Sequence, residues 1–320
     1  MGTPDTSVVT DASNWLRSQR NRMIVLMVMA AFAMVIPLVA NNYLIEVLTN
    51  AWFYTILCLG LNIVVGYAGL LDLGYAAFFA VGAYTTGILT SKFGINFWLT
   101  IPAAVFCSMV AGIIIGGPTL RLRSDYLAIV TLGFGEIVRI IARNLEITGG
   151  ASGLIGIDRP SFFGIELSQG IHFYYVFLLL AILACFVSYR LQHSRLGRAW
   201  QYVREDEDAA EAMGIGRVSV KLQAYVIGAM FGGIAGSFFA AKMTAISPET
   251  FTFAQSVLIL LGVVLGGMGK IPGVIVGAFA LVLFPEVFRG MGSMRMLIFA
   301  VVMLIIMLYR PDGIWPRARS

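Results

Sequence analysis

Long apolar runs separated by short polar connectors repeat along the chain, near 23–40, 43–65, 70–90, 97–117, 126–142, 173–189, 221–241, 255–268, 272–288 and 295–309. An α-helix needs about 20 apolar residues to cross a bilayer. Hydrocarbon offers no partner to backbone N–H and C=O groups, so runs of this length predict helices. The expected fold is an all-α integral membrane protein with about ten transmembrane segments. Two pairs of runs leave the count open: 43–65 with 70–90, joined by Gly66-Tyr67-Ala68-Gly69, and 255–268 with 272–288, joined by Gly269-Lys270-Ile271-Pro272. If one of them is a re-entrant hairpin, the number is eight.

Charge then orients the chain. With the N-terminus placed in the cytoplasm and the segments alternating, 15 of the 22 Lys and Arg fall inside; the other seven are Lys92, Arg139, Arg143, Arg159, Lys242, Arg289 and Arg295. The positive-inside rule predicts cytoplasmic N- and C-termini and a cytoplasmic loop at 190–221. The domain plan is a cytoplasmic tail at 1–22, one transmembrane domain at 23–309 and a second cytoplasmic tail at 310–320. The first run is read as a retained signal-anchor helix, because it lacks a small-residue cleavage site.

Composition agrees: 59% of residues are hydrophobic and 12% charged, against about 25% charged in soluble domains. The net charge of +5 is sorting charge, and no basic patch interleaved with aromatics suggests nucleic acid. Cys58, Cys107 and Cys185 lie far apart, and His172 and His193 are the only histidines, so no metal site is expected. Gly266-Gly267-Met268-Gly269-Lys270 is not a phosphate loop, since Val264 and Ile271 stand where the motif needs Gly and Ser/Thr.

Candidate chemistry is sparse. In the loop, Asp206, Glu207 and Asp208 suit a helix N-terminus and Gly214 suits the residue past its end. A helix over 207–213 would be a peg about 10 Å long, with Ala209 and Ala210 giving it a smooth face and Glu211 a charge. It is either a docking element or a solvated connector. Asn62, Tyr67 and Asp72 surround the first glycine break and offer polar groups to a solute, or serve as glue between helices. Glu136 can pair with Arg139, and Glu286 with Arg289, one turn along. Gly228, Gly232 and Gly236 strip one face of a helix for close packing, within the chain or between subunits. The segment Thr148-Gly149-Gly150-Ala151-Ser152-Gly153-Leu154 receives an external partner or simply turns the chain.

The loop's Asp208-Ala209-Ala210, three residues, then Gly214 resembles the cytoplasmic loop by which ABC-importer permeases dock onto their ATPase subunits. Five further segments lie in order around it. They are Leu61-Asn62 with 66–74, Thr148-Gly149-Gly150-Ala151-Ser152-Gly153-Leu154, Ser194-Arg195-Leu196-Gly197-Arg198-Ala199, Leu265-Gly266-Gly267-Met268-Gly269 and Arg310-Pro311-Asp312-Gly313. Together they resemble the permease subunit of bacterial branched-chain amino-acid ABC importers, the LivM type, over roughly 40–315. The resemblance implies a heterodimer with a related permease subunit, two ABC ATPase subunits and an extracytoplasmic substrate-binding protein, in the bacterial inner membrane. Arg198, Asp206, Glu207, Asp208, Ala209, Ala210, Glu211 and Gly214 then take the ATPase-coupling role, and Asp208 stands where the broader motif has Glu. Asn62, Tyr67, Asp72 and Glu136 are the candidate pathway residues. The chain itself is not expected to be an enzyme or to hold a cofactor, ATP and Mg belonging to partner subunits. Import of urea or short amides is the alternative, and a secondary transporter coupled to an ion gradient through Asp72, Glu136 and Glu286 is the remaining one.

Overall fold

The computed structural model describes residues 34, 36–37, 40–119, 124–162, 165–166, 170–292, 294–309 and 313. The expected N-terminal tail, most of the first run and the C-terminal tail other than Gly313 lie outside the described residues, as do Arg121 and Arg123.

A helix stands at each of the nine remaining runs. These are α1 Asn42–Leu61, α2 Ala76–Ser91, α3 Phe97–Thr119, α4 Ser124–Asn144, α5 Gly170–Gln192, α8 Arg217–Met243, α9 Phe253–Gly266, α10 Ile271–Val287 and α11 Met294–Tyr309. Between α5 and α8 lie two short helices, α6 Arg195–Glu205 and α7 Glu207–Ala212. Among the described residues five helices are long and apolar enough to cross a membrane: Asn42–Tyr67, Phe97–Thr119, Gly170–Gln192, Arg217–Met243 and Pro248–Gly266.

Helices α1, α2 and α8 form the core and others surround them. Of the apolar stretches, 83% of α1 and 72% of α8 are buried, against 33% for α3 and for α5. The outer helices present Leu99, Phe106 and Ile114 on α3 and Leu179 and Phe186 on α5. That much outward apolar surface suits a lipid solvent. Threonines inside the apolar helices satisfy their hydroxyls locally: Thr49, Thr55 and Thr119 each donate to the carbonyl four residues back.

α8 is the axle of the bundle, with α2 and α3 along it and α1 against it. Glycine makes the approach possible. A Cβ at Gly228 would meet Val64 at 2.5 Å, one at Gly232 would meet Phe78 at 2.9 Å, and one at Gly236 would fall 2.2 Å from the Phe79 carbonyl oxygen. The three glycines therefore face α1 and α2 of the same chain, and the Tyr75 hydroxyl donates to the Gly228 carbonyl at 2.8 Å.

The two glycine-joined pairs differ from one another. α9 and α10 pack along each other, whereas α1 packs mainly on α5 and α10 and α2 on α8 and α3. The run expected to begin a helix at 70 begins it at Ala76. α1 ends in a π-helical turn, Asn62–Tyr67, and 68–75 is non-helical. Gly69, at φ +71, turns the chain there, and Asp72 holds the turn by accepting from the Gly74 N–H at 2.8 Å.

The connection after α4 carries short β pairs that hydropathy gave no sign of. β1 Leu154–Ile155 pairs antiparallel with β4 Ala245–Ile246, just beyond the end of α8, and β2 Ser161–Phe162 pairs with β3 Ile165–Glu166. Thr148 anchors the glycine-rich turn by donating to the carbonyls of Ala142 and Leu145 at 2.6 and 2.7 Å. Arg139 bridges Glu136 at 2.8 Å and Glu249 at 3.3 Å, and Glu249 also meets Arg143 at 3.7 Å. Glu249 is exposed, so Glu249→Ala is expected to shift thermal stability by less than about 1 kcal/mol. A larger loss in detergent melting would show that this cluster holds the β1–β4 end together.

Candidate functional site

α6 and α7 form a bracket at one end of the bundle, and the sequence builds each bend of it. Ser194 caps α6 by accepting from the Gly197 N–H at 3.1 Å and itself donates to the Leu191 carbonyl. A Cβ at Gly197 would lie 2.3 Å from the Leu191 carbonyl oxygen, so the turn out of α5 needs glycine there. Arg198 turns back and donates to the His193 carbonyl at 3.3 Å. Trp200 is fully buried, stacks on Tyr67 with ring centroids 6.5 Å apart, and donates to the Val220 carbonyl at 2.8 Å.

α7 is the peg. Asp206 caps it, its Oδ1 accepting from the N–H groups of Asp208 and Ala209, both at 3.0 Å. Gly214 ends it at φ +83. Ion pairs fasten it to the start of α8: Glu207 to the buried Lys221 at 2.6 Å, Asp208 to Arg217 at 3.6 Å and Glu211 to Arg217 at 3.2 Å. Of the two alanines expected to smooth one face, Ala209 is exposed and Ala210 is buried against the chain. The outward face is Asp208, Ala209, Glu211, Ala212 and Met213. Met213, 83% exposed at the tip, was not among the expected residues. An exposed methionine beside two carboxylates offers a deformable apolar contact within a charged rim.

Behind the bracket, both glycine breaks meet. The Asn62 side-chain Oδ1 accepts from the Gly269 N–H at 2.8 Å, and the Gln192 side chain donates to the Gly269 carbonyl at 3.5 Å while accepting from the Tyr67 hydroxyl at 3.4 Å. Arg204 donates to the Gly66 carbonyl. A Cβ at Gly66 would lie 2.6 Å from the Gly269 nitrogen, and one at Gly313 would lie 2.5 Å from Gly267. Segments 66–69, 266–269 and α6 thus close around a cavity of about 250 Å³ lined by Gly66, Tyr67, Gln192, Gln201, Arg204, Glu205, Met268, Gly269 and Lys270. The faint likeness of the two glycine breaks becomes physical contact here.

The four candidate pathway residues do not share one site. Asn62 and Tyr67 sit at this junction. Asp72 is fully buried in its own turn, facing Tyr225 and Thr131. Glu136 lies on α4, paired with Arg139. Asn62→Ala removes the side-chain acceptor of the Gly269 N–H in a tight junction. A loss of about 1–3 kcal/mol is expected, read as a fall of a few degrees in melting temperature. An unchanged melting curve would mean that water replaces the amide.

Residues 43–308 match the family described as the permease component of the branched-chain amino acid transport system. The chain is 43% identical over 318 residues to the high-affinity branched-chain amino acid transport system permease protein LivM of Salmonella typhimurium, covering 92% of this chain and 75% of that protein. It is 23% identical over 248 residues to LivH of the same organism, covering 71% of this chain and 79% of LivH. To the fructose import permease protein FrcC of Rhizobium meliloti it is 25% identical over 264 residues, covering 77% of this chain and 71% of FrcC. No solved structure matches the chain.

Proposed function

Since the chain belongs to the branched-chain amino acid transport permease family, a multi-pass membrane transport component, we propose that it forms half of the translocation pathway of an ATP-driven importer for leucine, isoleucine, valine or related amino acids. The observation that carries this is the peg: a capped six-residue helix, ion-paired to the long core helix, with its acidic, methionine-tipped face directed outward. Such a face fits a groove on a partner. ATP and Mg are held by two separate ATPase subunits docked at 190–221. A related permease completes the pathway, and similarity to both LivM and LivH supports a pair of homologous subunits. The positive-inside count places α6 and α7 in the cytoplasm and the β1–β4 end outside, where an extracytoplasmic binding protein delivers the solute. The membrane is the bacterial inner membrane.

The gradient-driven alternative loses support from two of its three residues, because Glu136 pairs with Arg139 and Glu286 with Arg289 at 3.5 Å. The amino-acid reading rests on the 43% relative rather than on pathway side chains. Capture of the tagged chain in mild detergent should recover a second permease and two ATPases, and proteoliposomes of that complex should take up leucine only with ATP and binding protein. Uptake by the purified chain alone under a proton or sodium gradient would overturn the reading.

A further inference from the structure

We propose that Arg204 is the positioning residue that transmits movement of the docking peg to the two glycine breaks, an inference that rests on the permease reading above. Three observations converge on this side chain. First, it lies two residues before Asp206, the cap of α7, so a displaced peg moves Arg204 directly. Second, it lies one turn beyond Trp200, whose burial, stack on Tyr67 and bond to Val220 make α6 a lever with a fixed pivot. Third, its side chain reaches both breaks. The guanidinium donates to the Gly66 carbonyl, the Cγ would lie 2.7 Å from a Cβ at Gly69, and Nη1 would lie 3.4 Å from a Cβ at Gly269.

The breaks are where this bundle can bend. α1 ends in the π-helical turn Asn62–Tyr67, a local irregularity that kinks helices and frees carbonyls. A cation is favoured at such a C-terminus, because the last carbonyls lack intrahelical partners. Glycine at 66, 69 and 269 leaves the backbone bare, so one guanidinium bonds to one segment and lies beside another some 200 residues away in sequence. With the bond made, α1, the α9–α10 turn and α6 move together. With the peg displaced, the Arg204 bond breaks and the junction is left to the Asn62 and Gln192 bonds to Gly269, which loosens it. Arg204 therefore joins the docking event to the opening of the cavity behind it.

The test uses the whole importer in proteoliposomes, with leucine uptake and ATP hydrolysis measured on one preparation. Arg204→Ala is expected to lower leucine imported per ATP hydrolysed about tenfold, the scale of one lost charge-assisted hydrogen bond, with the ATPases still co-purifying. Arg204→Lys should recover part of that ratio, since an ammonium reaches one carbonyl without the planar fork. Gly69→Ala crowds the same side chain at a residue with φ +71 and should lower the ratio too, adding nothing to Arg204→Ala when combined. A wild-type ratio in Arg204→Ala overturns the proposal. So does a proportional fall of uptake and hydrolysis in both Arg204→Ala and Gly69→Ala, which marks a structural loss. If Arg204→Ala fails to assemble, Arg204→Lys and Gly69→Ala decide by the same ratio. Wild-type complex without ATP-driven uptake sinks the permease reading and this inference with it, whereas equal ratios in wild type and variants sink the inference alone.

Discussion

Reversing Asp208 and Glu211 together, as Asp208→Lys with Glu211→Lys, abolishes ATP-driven uptake and leaves the chain in the membrane. Both carboxylates face Arg217, at 3.6 and 3.2 Å, so reversal gathers three cations at the peg. One of the new cations sits in the first turn of α7, where the helix dipole disfavours it. The outward face also changes sign. Losing about 3 kcal/mol of docking energy lowers occupancy by roughly a hundredfold, so the ATPases should disappear from a pull-down. Adding Arg217→Glu separates the two causes. It rebuilds the pairs within the chain but not the outward sign, and uptake should stay absent. Normal uptake in the double reversal would remove the peg from the docking role altogether. Recovery in the triple variant would reduce its carboxylates to internal braces.

A large stability effect is expected at Gly236. A Cβ there would fall 2.2 Å from the Phe79 carbonyl oxygen and 2.8 Å from the Ala83 nitrogen, and both contacts are backbone atoms that cannot rotate away. Gly236→Ala must push α2 off α8, at a cost of about 1–3 kcal/mol. Gly236→Leu drives a larger side chain into the same seam and should prevent folding, seen as loss of the monodisperse peak in size exclusion. A Cβ at Gly82, the matching glycine on the facing helix, would fall 2.3 Å from the Gly233 carbonyl oxygen, so Gly82→Ala should behave like Gly236→Ala. Unchanged melting of Gly236→Ala would mean that α2 and α8 stand farther apart than their backbones indicate.

Much of the fold was legible because hydropathy in a bilayer is nearly a direct code for helices. The peg was legible for a different reason: the Asp206 cap and the turn at Gly214 are local chemistry, decided within eight residues. What escaped the sequence was partnership. Asn62 and Gly269 are 207 residues apart and their bond has no local signature. Tyr67 and Asp72 looked alike as polar groups beside one break, yet Tyr67 turns to Trp200 and Asp72 folds back on Gly74. Ala210 and Ala209 are adjacent, and only their rotation about a short helix decides which is exposed. The start of α2 was misplaced because 70–75 is apolar enough to continue a helix, while Gly69 and the Asp72 turn hold it out of one. Arg204 read as one more cytoplasmic positive charge, since sidedness counts charges without saying where they point.

α8 runs unbroken for 27 residues between two fastened ends. Arg217 and Lys221 grip the peg at one. At the other, the Thr244 carbonyl accepts from Gly156 and Ile157 beside the β1–β4 pair. At about 1.5 Å per residue the rod is some 40 Å long. Fastening both ends of one rod makes them a single thermodynamic variable. A ligand that shifts the rod from the β1–β4 end changes the affinity of whatever holds the peg, and by linkage the peg's occupant changes affinity at the far end by the same factor. Dissociation constants measured from either side must return one common ratio. Partners at the two ends would then sense one another along the whole rod without ever touching.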